Sequence, residues 1–204
     1  MDGDEQFHDP IAAALLSDST YERLRVRRRS LFKQPLSRKL AWQSGILAAL
    51  GLIVPLSLLL PTSTRTLFPP GDILWSSPKI LLLGAYAGTI VTVSALALAY
   101  VGYRRVTASG ALSEREASRL LNIEDVASLI SLITGLSAIV AINGIFILGQ
   151  GGDRAMSMFF AAGGENPFAA TTIPVSVVGV GGAAIVAAVF IFALSRVFAR
   201  RLAA

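Results

Sequence analysis

The chain has 204 residues, of which 53% are hydrophobic and 15% charged, a formal net charge of +5 and a mean hydropathy of +0.64. Apolar content above the globular norm, with so little charge, excludes a disordered tail, a fibre and most soluble domains. With no cysteine and one histidine, disulfide frameworks, thiolate nucleophiles and zinc or iron-sulfur sites built from Cys and His lose their ligands together.

Residues 1–39 form an arm that is acidic first (Asp2, Asp4, Glu5, Asp9, Asp18, Glu22) and then basic. Asp9-Pro10 ahead of an apolar stretch places proline at a first helical turn, and Ser19 with Glu22 has the spacing of a capping box that opens a second short helix. The early acids argue against a transit peptide, and the late start of the first apolar run argues against a cleaved signal, so a retained anchor in a prokaryotic chain is expected. Arg23 to Lys39 carries positive charge only, enough to bind an anionic headgroup surface at about 1 kcal/mol per basic residue. Arg25, Arg27, Arg28, Arg29 and Lys33 are the candidate contacts to anionic lipid or to a partner.

Four uncharged apolar runs follow, Ala41–Leu60, Ile80–Tyr103, Val126–Leu148 and Ile173–Ala193. Each is near the roughly 20 residues that cross a hydrocarbon core about 30 Å thick. Helices on the surface of a soluble protein would show charges on one face, and these show none. The expected fold is therefore an all-α membrane protein, with a four-helix transmembrane domain over 40–199, short surface helices and a tail at 200–204. Of the 18 basic residues, all but Arg65, Lys79 and Arg154 precede span one, lie between spans two and three, or follow span four. The positive-inside rule then puts both termini on the cytoplasmic side, or the stromal side of a plastid.

Within span one, Pro55 lacks an amide donor and presses on the Gly51 carbonyl, which predicts a kink, and Pro61 ends the helix. The loop from Thr62 to Lys79 holds Pro69, Pro70, Gly71 and Trp75 and reads as an ordered turn with an interfacial aromatic. Between spans two and three, Ser113 with Glu116 is a capping box that predicts a short surface helix to Leu121, and Asn122 with Asp125 resembles a second box opening span three. The loop from Gly149 to Thr172 has glycine at both ends and Met156, Met158, Phe159 and Phe160 between, too short to span and suited to a half-buried interfacial turn. Its glycines lack the Lys-Ser/Thr of a phosphate loop, and two thioethers alone make an incomplete copper site.

Helices in lipid associate where small residues let backbones approach. Gly84 and Gly88 in span two, Gly135 in span three, and Gly179, Ala183 and Ala187 in span four are the candidate packing positions, for a compact bundle or for faces that meet other subunits. The four runs contain no Asp, Glu, Lys, Arg or His, so no catalytic group, metal site or cofactor is expected. Asn143 is the polar group costliest to leave unpaired in lipid and the candidate for a polar path.

Several features are similar to one known family. They are a basic arm entering a span at Arg38-Lys39-Leu40-Ala41-Trp42-Gln43, a span ending Gly102-Tyr103-Arg104, small residues at Gly135-Leu136-Ser137-Ala138, and Asn166-Pro167-Phe168 ahead of span four. In these the chain resembles the four-span chloroplast inner-envelope protein described as a translocon subunit and as an iron permease, with its cyanobacterial relatives. The likeness runs from about Pro35 to Phe198, although span four is built of Gly, Ala, Val and Ile where that family carries Gln and Asn. It implies a non-enzymatic translocation or permease component of a bacterial inner membrane, a thylakoid or a plastid inner envelope, acting as a homo-oligomer. The alternative is an accessory or assembly subunit of a larger membrane complex, such as a photosynthetic or respiratory one. Lipid, not nucleic acid, is the expected surroundings in either case.

Overall fold

The computed structural model describes residues 20–27, 34–108 and 112–202. It is all-helical, with no named strand among those residues, and four of its helices are long and apolar enough to cross a membrane. A short helix α1 (Thr20–Arg27) precedes the first span, which comprises α2 (Leu36–Gly51) and α3 (Ile53–Leu58). After a turn, α4 (Thr62–Arg65), comes the second span, α5 (Ile80–Thr107). The third span is α6 (Glu114–Ile130), a π-helical turn (Ser131–Leu136) and α7 (Ser137–Gly149). A surface helix α8 (Gly152–Ala161) then leads to the fourth span, α9 (Val177–Arg201). Asp9, Pro10 and Ser19 lie outside the described residues.

The separate surface helix and second capping box expected between spans two and three are not found. Ser113 does cap the helix, its hydroxyl accepting from the Glu116 amide while the Glu116 carboxylate accepts from the Ser113 amide. From there one helix of 36 residues runs to Gly149, rising about 54 Å, well beyond the hydrocarbon core. Asn122 and Asp125 sit inside it. Asn122 and Asp125 cost up to about 0.7 kcal/mol each in helix propensity, but Ala117, Leu120 and Leu121 are buried, so tertiary packing overrides a local stop signal.

In span one the helix breaks at Leu52, three residues before Pro55, because the proline offers no amide proton to the Gly51 carbonyl; regular bonding resumes with the Leu56 amide on Leu52. The closest interhelical seam in the bundle starts at this break. Ser37, Ser44 and Gly51 recur a heptad apart on the first span, and Ser195, Ala188 and Gly181 recur likewise on the antiparallel α9, which keeps both rows facing along the crossing. The Ser44 hydroxyl donates to the Ala188 carbonyl at 2.8 Å, and the Ser195 hydroxyl donates to the Ser37 carbonyl at 2.8 Å. At the far end a Cβ on Gly181 would lie 2.4 Å from Val54 Cγ2 and 3.6 Å from the Gly51 carbonyl oxygen, so the two backbones nearly touch.

The third span and α9 flank the pair made by spans one and two. Leu36, Gly102 and Phe198 meet at the end that carries the termini. At the other end Phe68, Phe146 and Phe168 stack within 4.5–6.5 Å of one another. There the two long loops are tied together by main-chain bonds, the Lys79 amide to Ala169 and the Thr171 amide to Ser77. The long Gly149–Thr172 loop is more ordered than a turn: α8 buries Met156 beneath it, and Asn166 donates to the Leu67 carbonyl at 3.0 Å.

Candidate functional site

Spans one and three run parallel, and polar side chains join them at four levels. At the terminus end, Lys39 Nζ donates to Glu124 Oε1 at 2.7 Å, with both side chains buried. The Tyr21 hydroxyl, on α1, donates to Glu124 Oε2, and the Arg105 guanidinium lies 4.2 Å above the centre of the Tyr21 ring. Both carboxylate oxygens are thereby satisfied, which is the condition for an ion pair to persist away from water. The pair also explains why α1 docks: Tyr21 is 1% exposed although it belongs to a charged arm.

One level further in, Gln43 Nε2 donates to Ser131 Oγ at 2.9 Å, where the π-helical turn begins. A π turn widens the helix and is common at functional positions. Here it presents Ser131 to the first span, while Gly135 faces the second, where an added Cβ would meet Val91 Cγ2 at 2.4 Å. Near mid-bundle, Asn143 Nδ2 donates to the carbonyls of Ala49 at 3.0 Å and of Ile139 at 2.9 Å. At the loop end, Gln150 Nε2 donates to the Leu56 carbonyl at 2.8 Å. Two amide oxygens on this seam, Gln43 Oε1 and Asn143 Oδ1, are buried and receive no hydrogen bond. Leaving a buried acceptor unmatched costs roughly 1–3 kcal/mol. Beside Gln43 lies a cavity of about 240 Å³.

The other positions singled out from the sequence fall elsewhere. Gly84 and Gly88 on α5 face Gly179 and Ala183 on α9 across a groove of about 510 Å³ floored by Leu47 and Leu50. Gly179 and Ala183 are exposed and Ala187 is half-buried, whereas α9 buries its neighbouring row, Val180, Ala184 and Ala188. Arg25 and Arg27 fall in the last turn and a half of α1; Arg28, Arg29 and Lys33 lie outside the described residues. No group of three or more potential metal-ligating His, Asp or Glu occurs among the described residues.

Sequence reasoning missed Lys39, Glu124 and Tyr21 as a unit. The apolar runs stop two residues short of both charges, at Ala41 and Val126, whereas the helices continue past them. The available signal was helical phase: Lys39 and Gln43 are one turn apart, as are Glu124 and Ser128, so each charge lies on the face that its span already buries. Gly51 and Gly181 were missed because no spacing motif marks a glycine that pairs across helices. No protein-family model matches the chain, and neither a curated protein nor a solved structure matches it.

Proposed function

We propose that this is a non-catalytic integral membrane protein of translocation or permease type, in a bacterial inner membrane or a plastid-like one, with both termini on the cytoplasmic or stromal side. The orientation rests on the basic residues, which cluster at the terminus end of the bundle and leave only Arg65, Lys79 and Arg154 at the other. The observation that carries the functional reading is the pair of buried, unmatched amide oxygens on the seam between spans one and three. Packing alone does not call for them, since Leu or Met would fill the same volume without an unsatisfied acceptor. Two unmatched acceptors on one seam, at the levels of Ser131 and of Asn143, offer a donor-bearing or cationic species protein contacts in exchange for hydration. Asn143→Leu is the test. In a cell that depends on this chain, the substitution should depress metal uptake or protein translocation while the protein still inserts and accumulates; unchanged transport would remove the polar-path reading.

A second reading, an accessory or assembly subunit, is favoured by the groove between α5 and α9, whose small residues Gly88, Gly179 and Ala183 leave room for a foreign helix. Native-gel migration of the tagged protein in mild detergent separates the two. A small homo-oligomer fits the permease, and comigration with a large assembly fits the subunit.

A further inference from the structure

We infer that the π-helical turn of the third span is a positioning device for the polar seam: the extra residue it takes up rotates the loop-end half of the span until Asn143 and Gln150 face the first span. This deepens the polar-path reading and rests on it for its functional meaning. In an α-helix each residue advances the chain by about 100°. Counted from Glu124, Ser128 and Ser131 fall within about 40° of a single direction. That direction faces the first span, since Lys39 reaches Glu124 and Gln43 reaches Ser131. Counted on in the same way, Asn143 and Gln150 fall about 100° and about 80° away from it. Supercoiling does not remove the offset, because a 3.5-residue period puts both about 150° away. Yet both donate to carbonyls of the first span, Asn143 to Ala49 and Gln150 to Leu56.

The π turn, Ser131–Leu136, closes that gap. Bonding to the fifth residue instead of the fourth fits an extra residue into the turn. Every residue beyond it then takes the direction its predecessor would hold in an unbroken α-helix. Without the turn, Ile142 and Gly149 would face the first span. Asn143 would take the direction now held by Gly144, which is exposed and where an added Cβ would meet nothing within 4 Å. Val140 and Ile147 on that side are 61% and 59% exposed, so this is the lipid face, where an amide finds no partner.

The surroundings fit the wider turn at this place. Ser131, its first residue, accepts from Gln43 and donates to the Ser128 carbonyl at 3.1 Å. Gly135 lies against α5, where an added Cβ would fall 2.4 Å from Val91 Cγ2 and 3.9 Å from the Ala87 carbonyl oxygen. The helix therefore widens toward α5 only because the residue there has no side chain. On the opposite side Ile133 and Thr134 are exposed, so the extra residue displaces no neighbouring helix.

The chain has no cysteine, so a short thiol cross-linker applied to the full-length protein in its membrane reports which residue of the third span faces Ala49. Ala49→Cys is combined with Asn143→Cys or, separately, with Gly144→Cys. With the span at its natural length, cross-linking is expected at position 143 and not at position 144. Deleting Thr134 should turn the π turn into α-helix and leave both flanking segments in place, so the cross-link stays at position 143. Deleting Ile133 and Thr134 together should rotate the loop-end half by about 100° and move the cross-link to position 144. A move to position 144 on deletion of Thr134 alone overturns the inference, because that is the behaviour of a helix with no extra residue to give up. Failure of that variant to accumulate overturns it too, since no level of the seam is disturbed, and so does a cross-link that stays at position 143 in the double deletion. The single deletion decides the matter whether or not the double deletion accumulates. Cross-linking reads register and not transport, so a silent Asn143→Leu would remove the polar path while leaving the register intact.

Discussion

The tight seam between span one and α9 yields a quantitative prediction from two adjacent glycines. Gly181 and Gly182 sit in the same helix, so replacing either with alanine gains the same backbone propensity, up to about 1 kcal/mol. Their surroundings differ completely. An added Cβ at Gly182 meets nothing within 4 Å, whereas at Gly181 it falls 2.4 Å from Val54 Cγ2 and 3.4 Å from Ile53 Cγ1. Val54 is β-branched and has little χ1 freedom in a helix, so it relieves the clash only by shifting the short helix after the break. Overpacking of this kind costs about 1–3 kcal/mol, and the difference between the two variants isolates that cost from the shared propensity. Gly182→Ala should be neutral or stabilising and Gly181→Ala destabilising, read as unfolding free energies in mixed detergent micelles titrated with a denaturing surfactant. Gly51→Ala should be destabilising by a similar amount, because its Cβ falls 2.4 Å from Cδ1 and 2.6 Å from Cγ1 of Ile185, another β-branched side chain in a helix. Adding Val54→Ala to Gly181→Ala should recover most of the loss. If Gly181→Ala and Gly182→Ala prove equally stable, the two backbones do not cross here.

Removing one partner of the buried pair, by Lys39→Met or Glu124→Leu, should cost about 3–5 kcal/mol, and the double variant should cost much less than their sum; additive losses in the same titration would mean the charges do not act on one another. Between the two long loops, Lys79 donates to Glu165 at 2.9 Å and holds its carboxyl below the ordinary value of 4.5, first through that hydrogen bond and then through its charge. A depressed carboxylate contributes stability above its unfolded value and loses it as pH falls through the folded one, so loop cleavage by an acid-active protease should accelerate as pH falls below the ordinary carboxylate value of 4.5 in the wild type. In Lys79→Met that acid step should vanish, and an unchanged pH profile would show that the ion pair does not tie the loops.

The architecture was legible because its signals are long. Four uncharged runs of bilayer length need no tertiary information, and the Ser113–Glu116 box sets a helix start through local bonds alone. Helix continuity was less legible: Asn122 and Asp125 have the local chemistry of a start, but burial of Leu120 and Leu121 against α5 and α1 makes an unbroken helix the better solution. The site was least legible. Asn143 drew attention as a lone amide in an apolar run, whereas Lys39 and Glu124 look like ordinary flanking charges until Tyr21, residing on a separate helix, closes over them. Pairs such as Gly51 with Gly181 depend on the register between two spans, which no single-chain spacing records.

The two seams of span one differ in what they require. Toward α9 the contact is made by small residues whose hydroxyls and backbone groups satisfy one another, and close approach of the two helices is enough to account for every residue in it. Toward the third span the contact is polar at four levels, and interhelical hydrogen bonds in a bilayer contribute only about 0.6 kcal/mol on average, because the separated helices find other partners. The three hydrogen bonds beside the ion pair do not offset the burial of that pair and two unmatched amide oxygens as a means of holding helices together; apolar side chains would do so at lower cost. Stability therefore explains the first seam and leaves the second unexplained. That difference is what supports placing the proposed polar path at Gln43 and Asn143 rather than along the glycines.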